Sequence, residues 1–208
     1  MACINIAAQL FSLIGIYMNL IKPVERTYMI LRKLVLASFV FFSYSVFAAE
    51  EVNVNYSYGA NHNTDFSSIG VSLGVSPVTD DRGGDNPNLI AEGYTAESAL
   101  ADIVQDALVQ GFEHGGAELA ESGGDMQIVG RIVSSELTTV DRGGVESLQL
   151  TIRTNVALQG RGRTIWETTL FGRGSVPVAD GIVSAVHAAL DRMIRELVND
   201  DYFLIEIQ

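Results

Sequence analysis

The stretch that decides the fold is Leu148-Gln149-Leu150-Thr151-Ile152-Arg153-Thr154-Asn155-Val156-Ala157-Leu158-Gln159. Leu148, Leu150, Ile152, Val156 and Leu158 fall on one face, and Gln149, Thr151, Arg153, Asn155 and Gln159 on the other. That is the period of a strand buried on one side only. Turns bound it at both ends: Asp141-Arg142-Gly143-Gly144 before it and Gly160-Arg161-Gly162-Arg163 after it. Beyond each turn lies another strand, a looser alternation over Met126–Val140 and a run through Ile165, Trp166, Leu170 and Phe171. The three together make a meander.

A one-sided sheet needs a cover, and two stretches of helical period supply it. The first carries Ala96, Ala99, Leu100, Ile103, Ala107 and Leu108 on one stripe, with Thr95 as N-cap and Gly111 as terminator. The second runs over Val178–Val198 with Ile182, Val183, Val186, Leu190, Met193, Ile194 and Leu197, followed by an apolar tail over Tyr202–Ile207. Upstream, residues 51–58 alternate Val52, Val54, Tyr56 and Tyr58 with polar residues, which predicts a strand, and 59–67 read as a polar loop. A second clean alternation sets Ile69, Val71, Leu73 and Val75 against Gly70, Ser72, Gly74 and Ser76, and Pro77 closes it. Residues 79–93, dense in Gly, Pro, Asp and Asn, read as a long polar loop. The expected fold is α+β: a two-layer sandwich of order β-α-β-β-β-α, its sheet mostly antiparallel, with two helices on one face. Residues 68–208 form this single domain, and 49–67 precede it.

The first 48 residues belong to a different kind of sequence. Met29-Ile30-Leu31-Arg32-Lys33, an apolar run over 34–47 and Ala48-Ala49-Glu50 have the order of a secretory signal peptide, cleaved after Ala48 as first choice and after Ala49 as second. The run is shorter than the ~20 residues a spanning helix needs, and its exit is acidic. Residues 1–28 are read as translated ahead of the true start at Met29. The only cysteine is Cys3, so residues 49–208 hold no disulfide, thiol nucleophile or cysteine-ligated metal.

Charge excludes whole classes of partner. The chain has 13 Lys+Arg and 25 Asp+Glu, a net of −12. Residues 1–48 hold four of the bases and one of the acids, leaving 49–208 with nine arginines, no lysine, 24 acids and a net of −15. Such a body repels phosphate backbones, so nucleic acid is not a partner. Anionic membrane surfaces are excluded likewise, and a membrane is reached only through the signal segment or a partner.

Few residues suggest chemistry. His62, His114 and His187 match no zinc spacing. Ser184, His187 and Asp191 share one helix face, which cannot set a base against a nucleophile and an acid against the base, and no Gly-x-Ser-x-Gly elbow exists. No catalytic residue or cofactor is predicted. The acidic loop with Asp80, Asp81 and Asp85 has the oxygen donors calcium prefers, without the spacing of a twelve-residue calcium loop. The face of Gly70, Ser72, Gly74 and Ser76 admits close approach by another backbone. A partner, a second copy or the chain's own 51–58 segment could cover it, and the last is the simplest.

The order of elements resembles a known family. A strand ends at Asp80-Asp81-Arg82, a helix finishes in Gly111-Phe112, a meander follows, and a last helix runs into Leu197–Ile207 with Asp200-Asp201 between. Over residues 68–207 this resembles the YajG-like bacterial envelope lipoproteins. The resemblance implies a place in the cell envelope and no reaction, and it transfers no catalytic residues. Those proteins carry a lipidated cysteine at the mature N-terminus, and none is available here. The resemblance therefore implies a periplasmic protein, free or held at the outer membrane by a partner. The expected function is a non-enzymatic accessory one, acting by contact with an envelope protein or by self-association. The alternative is a small-ligand or calcium module built on 79–93.

Overall fold

The computed structural model describes residues 49–59, 62–120 and 123–207. The early start over 1–28, the signal peptide over 29–48 and cleavage at Ala48 lie outside the described residues. Among the described residues, no helix is long and apolar enough to cross a membrane.

The elements are β1 (Glu50–Val52), β2 (Leu73–Val75), β3 (Thr79–Asp80), β4 (Leu89–Ala91), β5 (Tyr94–Ala96), α1 (Leu100–His114), β6 (Met126–Asp141), β7 (Glu146–Gly160), β8 (Arg163–Pro177), a 3-10 turn (Val178–Asp180), α2 (Gly181–Val198) and α3 (Asp201–Glu206). The fold is α+β. Its larger sheet has the order β2-β6-β7-β8, with β3 also on β6, and a second sheet has the order β1-β5-β4.

The meander is antiparallel as the alternation predicts, with Leu150 opposite Leu137 on β6 and opposite Gly174 on β8. Its turns follow from local chemistry. Asp141 Oδ1 accepts from the Gly144 N–H at 2.9 Å, with Gly143 and Gly144 at positive φ. At the other turn Arg161 and Gly162 both have positive φ, as a tight two-residue hairpin turn demands. The loose pattern of β6 has a physical cause: a register shift between Ile132 and Ser134 moves inward positions by one and leaves Val133 half-exposed.

Around the meander the structure departs from expectation. The larger sheet is mixed, because β2 and β3 pair parallel with β6. Residues 79–93 hold β3 and β4 rather than one polar loop. Ile90 is fully buried within Leu89-Ile90-Ala91, an apolar triplet masked by its Gly-, Asp- and Asn-rich surroundings. Residues 51–58 are strand only as far as Val52, which pairs with Ala96. Beyond it the inward alternation persists, but the partner is a helix: the Tyr58 N–H donates to Gln110 Oε1 at 2.8 Å, and Gln110 Nε2 donates to the Tyr56 carbonyl at 3.3 Å. A side-chain amide does here what a ladder strand would do.

The helix ends also differ. Thr95 sits in β5, and Ala99 occupies the N-cap position of α1 with no side-chain cap. Gly111 is interior to α1, not its terminator. It is needed for packing, since a Cβ there would lie 2.5 Å from Ile194 Cγ2 on α2. The chain leaves the helix at Gly115 and Gly116, the second with φ 84°. The second helix begins at Gly181 rather than Val178. The tail is helical, with the Asp200 carboxylate capping α3 through the Phe203 N–H at 2.9 Å. Phe203 is fully buried and packs on Trp166 of β8, ring centroids 5.1 Å apart.

Candidate functional site

The sequence-predicted positions scatter. Asp80 takes two hydrogen bonds from the Arg82 guanidinium, at 2.8 and 2.6 Å, and these hold its carboxyl below the usual range. Arg82 Nη1 also reaches the Leu89 carbonyl, so the pair clamps β3 to β4. Asp81 lies 3.8 Å from Arg131, and Asp85 is exposed. The structure brings the first two to arginines and does not gather the three around a common point. Among the described residues, no group of three or more His, Cys, Asp or Glu is placed to hold a metal ion.

Gly70, Ser72, Gly74 and Ser76 do not form one open strand face, since only Leu73–Val75 is strand. Gly74 is buried, and a Cβ there would lie 2.7 Å from the Gly123 carbonyl and 2.5 Å from Gln127 Nε2. The Ser72 carbonyl accepts from the Met126 N–H, and Ser76 Oγ donates to Gln127 Oε1 at 3.1 Å. The covering segment is therefore 123–127 and not 51–58, which runs instead against α1 and α2. Gly70 is exposed.

His62 and His114 come together, ring centroids 5.4 Å apart, with Tyr58 5.2 Å from His114. His62 Nε2 faces the Gly111 carbonyl at 3.0 Å, and the cluster continues into Phe66 and Phe112. On α2, Ser184 Oγ donates to the Asp180 carbonyl, Asp191 accepts from Tyr56, and His187 stacks edge-on against Tyr56. Asp191 and His187 are thus both engaged by Tyr56, and the Ser184 hydroxyl is turned to its own helix backbone.

What the sequence reading missed is a cleft of about 550 Å³ between β8 and α2. Arg142, Phe171, Arg173, Arg192, Arg195 and Glu196 line it, with Ser175 and Ala188. Two glycines place it. Gly172 and Gly174 face the helix, where a Cβ at Gly174 would lie 2.5 Å from the Ala189 N–H nitrogen, so α2 lies directly on β8. That close approach brings the flank of α2 beside the outer edge of β8. Glu196 Oε2 accepts from the Phe171 N–H at 3.4 Å, which marks the backbone of Phe171 as pointing outward from the sheet. Strand periodicity then sends the N–H groups of Thr169, Arg173 and Ser175 the same way. The Arg153 guanidinium sits 5.6 Å over the Phe171 ring. Two signals for this cleft stand in the sequence: Arg192 and Arg195 one helical turn apart, and the absence of lysine from 49–208.

No protein-family model matches this sequence, and no relative is found among curated proteins. Solved structures do match. A Chlamydia trachomatis hypothetical protein (TM-score 0.36, 11% identity) aligns over 61% of this chain and 92% of its own. A minor lipoprotein of Acinetobacter baumannii (TM-score 0.35, 13% identity) aligns over 61% and 90%. Those scores are too low to argue from. A Xanthomonas campestris protein of the DUF330 family reaches a TM-score of 0.51 at 16% identity, over 76% of this chain and 97% of its own. In fold, then, this chain is similar to that DUF330 protein along nearly the whole of the latter's length.

Proposed function

We propose that this protein is a non-enzymatic accessory component of the bacterial cell envelope, exported to the periplasm and working by contact with another envelope protein. The observation that carries the reading is the outer edge of β8. Fifteen residues of strand have a neighbouring strand on one side only among the described residues. Such an edge presents a row of backbone donors and acceptors that a further strand can complete. The signal-like order of residues 29–51 supports export, and the element order resembling YajG-like lipoproteins supports the envelope setting. Residues 49–208 hold no cysteine, which favours a protein partner as the link to the outer membrane.

The test has two arms. The intact mass of the protein recovered from cell fractions should correspond to a chain beginning at Ala49, in the periplasmic or outer-membrane fraction. A photo-cross-linking residue at Thr169, on the β8 edge, should capture an envelope protein in living cells. The same residue at Asp102, exposed on α1, should not. A cytoplasmic full-length chain, or no cross-link from Thr169, overturns the proposal.

A further inference from the structure

The cleft beside β8 gathers the charge that the rest of the body lacks. Five of the nine arginines in residues 49–208 stand around it: Arg142, Arg153, Arg173, Arg192 and Arg195. Arg192 and Arg195 are helix neighbours at i,i+3, where like charges repel. No ion pair within 4.0 Å involves Arg142, Arg173, Arg192 or Arg195 among the described residues; those formed belong to Arg82 and Arg131. The cleft's single acid, Glu196, is turned to the Phe171 N–H. Phe171 itself leaves 43% of its surface exposed at the same place. In a body of net −15, folding alone gives no reason to draw cations together and leave them unneutralised.

We infer that this cleft docks an acidic, extended segment of a partner protein, laid along β8 with its carboxylates on Arg173, Arg192 and Arg195. The inference rests on the envelope-contact reading and deepens it by naming the chemistry of the partner. The guanidinium fork matches a carboxylate with two parallel hydrogen bonds. Side chains two apart on an added strand share a face, as Phe171 and Arg173 do on β8, so an apolar residue two positions from an acid sets the first on Phe171 and the second on Arg173. A peptide fits better than an anionic bilayer for two reasons. A flat anionic surface meets the field of the whole acidic body and is repelled, whereas a chain entering the cleft meets four arginines against the one carboxylate of Glu196. The outward N–H groups of β8 also offer repeated pairing that a peptide backbone completes in register.

The probe is an end-blocked, fluorescent peptide repeating two valines and two glutamates, which sets valine and glutamate in turn along each strand face, titrated with the purified protein and followed by anisotropy. Binding should weaken as salt rises and fall roughly tenfold or more in R173E/R192E. The melting temperature of that variant should stay close to wild type, because both side chains are exposed. If the charge reversal does not fold, R173Q/R192Q gives the same comparison. Equal affinity in the variant overturns the inference, as does equal affinity for a valine–lysine peptide. Phosphatidylglycerol vesicles that bind the protein while the acidic peptide does not also overturn it. In cells, a Thr169 cross-link that survives R173E/R192E defeats the charge inference alone, while its absence in the wild type defeats the contact reading.

Discussion

The Tyr56 phenol donates a 2.8 Å hydrogen bond to Asp191 Oδ1 on α2, joining positions 135 residues apart. Tyr56 is buried, its ring edge-on to His187, so this one side chain fastens the segment after β1 to the last long helix. Tyr56→Phe keeps the ring and removes the bond, and should lower stability by about 1 kcal/mol in denaturant unfolding.

The same bond sets an alkaline limit. Burial first, and the Asp191 carboxylate second, push the Tyr56 phenol far above its ordinary value. The folded state thus favours the neutral phenol. Its contribution is complete below the unfolded tyrosine pKa of ~10 and decays as pH rises beyond it towards the raised folded value. Melting temperatures stepped upward from pH 9 should fall faster in wild type than in Tyr56→Phe. Parallel curves would contradict this assignment.

At the acid end the Asp80–Arg82 pair acts in the opposite sense. Hydrogen bonds from Arg82 lower the Asp80 pKa, so the stabilisation is present above the unfolded value of ~4 and is lost as pH falls through the lowered one. Asp80→Asn should remove that part of the acid sensitivity and loosen the link between β3 and β4. Acid titrations followed by circular dichroism would show a shallower decline for the variant, and an unchanged profile would refute the prediction.

Gly174 and Gly59 make a paired test of packing. A Cβ at Gly174 collides with the backbone of Ala185 and Ala189, which cannot swing aside, whereas nothing lies within 4 Å of one at Gly59. Gly174→Ala should cost about 3 kcal/mol, and Gly59→Ala should stay within about 0.5 kcal/mol of wild type. Similar unfolding midpoints for the two variants would mean that α2 does not rest on β8 as described.

Thr154 runs the other way. It is fully buried opposite Leu170 on β8, and its hydroxyl has no hydrogen-bond partner. Thr154→Val exchanges an unpaired hydroxyl for a methyl and should raise stability by about 1 kcal/mol. A drop of that size in chemical denaturation would count against it.

Legibility followed range. The meander could be read from residues 126–171 because each strand meets its partner across one short turn, and because period-2 burial is written directly in Leu148–Leu158. Residues 51–58 show where that ends. Their inward and outward sides were correct, but periodicity does not say whether Gln110 of a helix or a neighbouring strand takes up the backbone. Gly111 shows the same limit: glycine reads as a stop from local propensity, and only Ile194, 83 positions later, explains it. The arginine cleft joins a hairpin turn, a strand and a helix through two glycines on β8. No spacing rule within one element predicts that convergence.

The parallel pairing of β2 and β3 with β6 carries a kinetic corollary. β6 meets β7, and β7 meets β8, across a tight reversal, so the three can zip up in order of synthesis. Leu73–Asp80 has no such option, since its hydrogen-bonding groove does not exist until some fifty further residues have been made and α1 has been laid between. In a polypeptide emerging N-terminus first, the leading third waits for the trailing part, and loop closure across that gap sets the pace. Anything that holds the early segment unfolded and unaggregated during this delay raises the yield of native protein without touching its final stability.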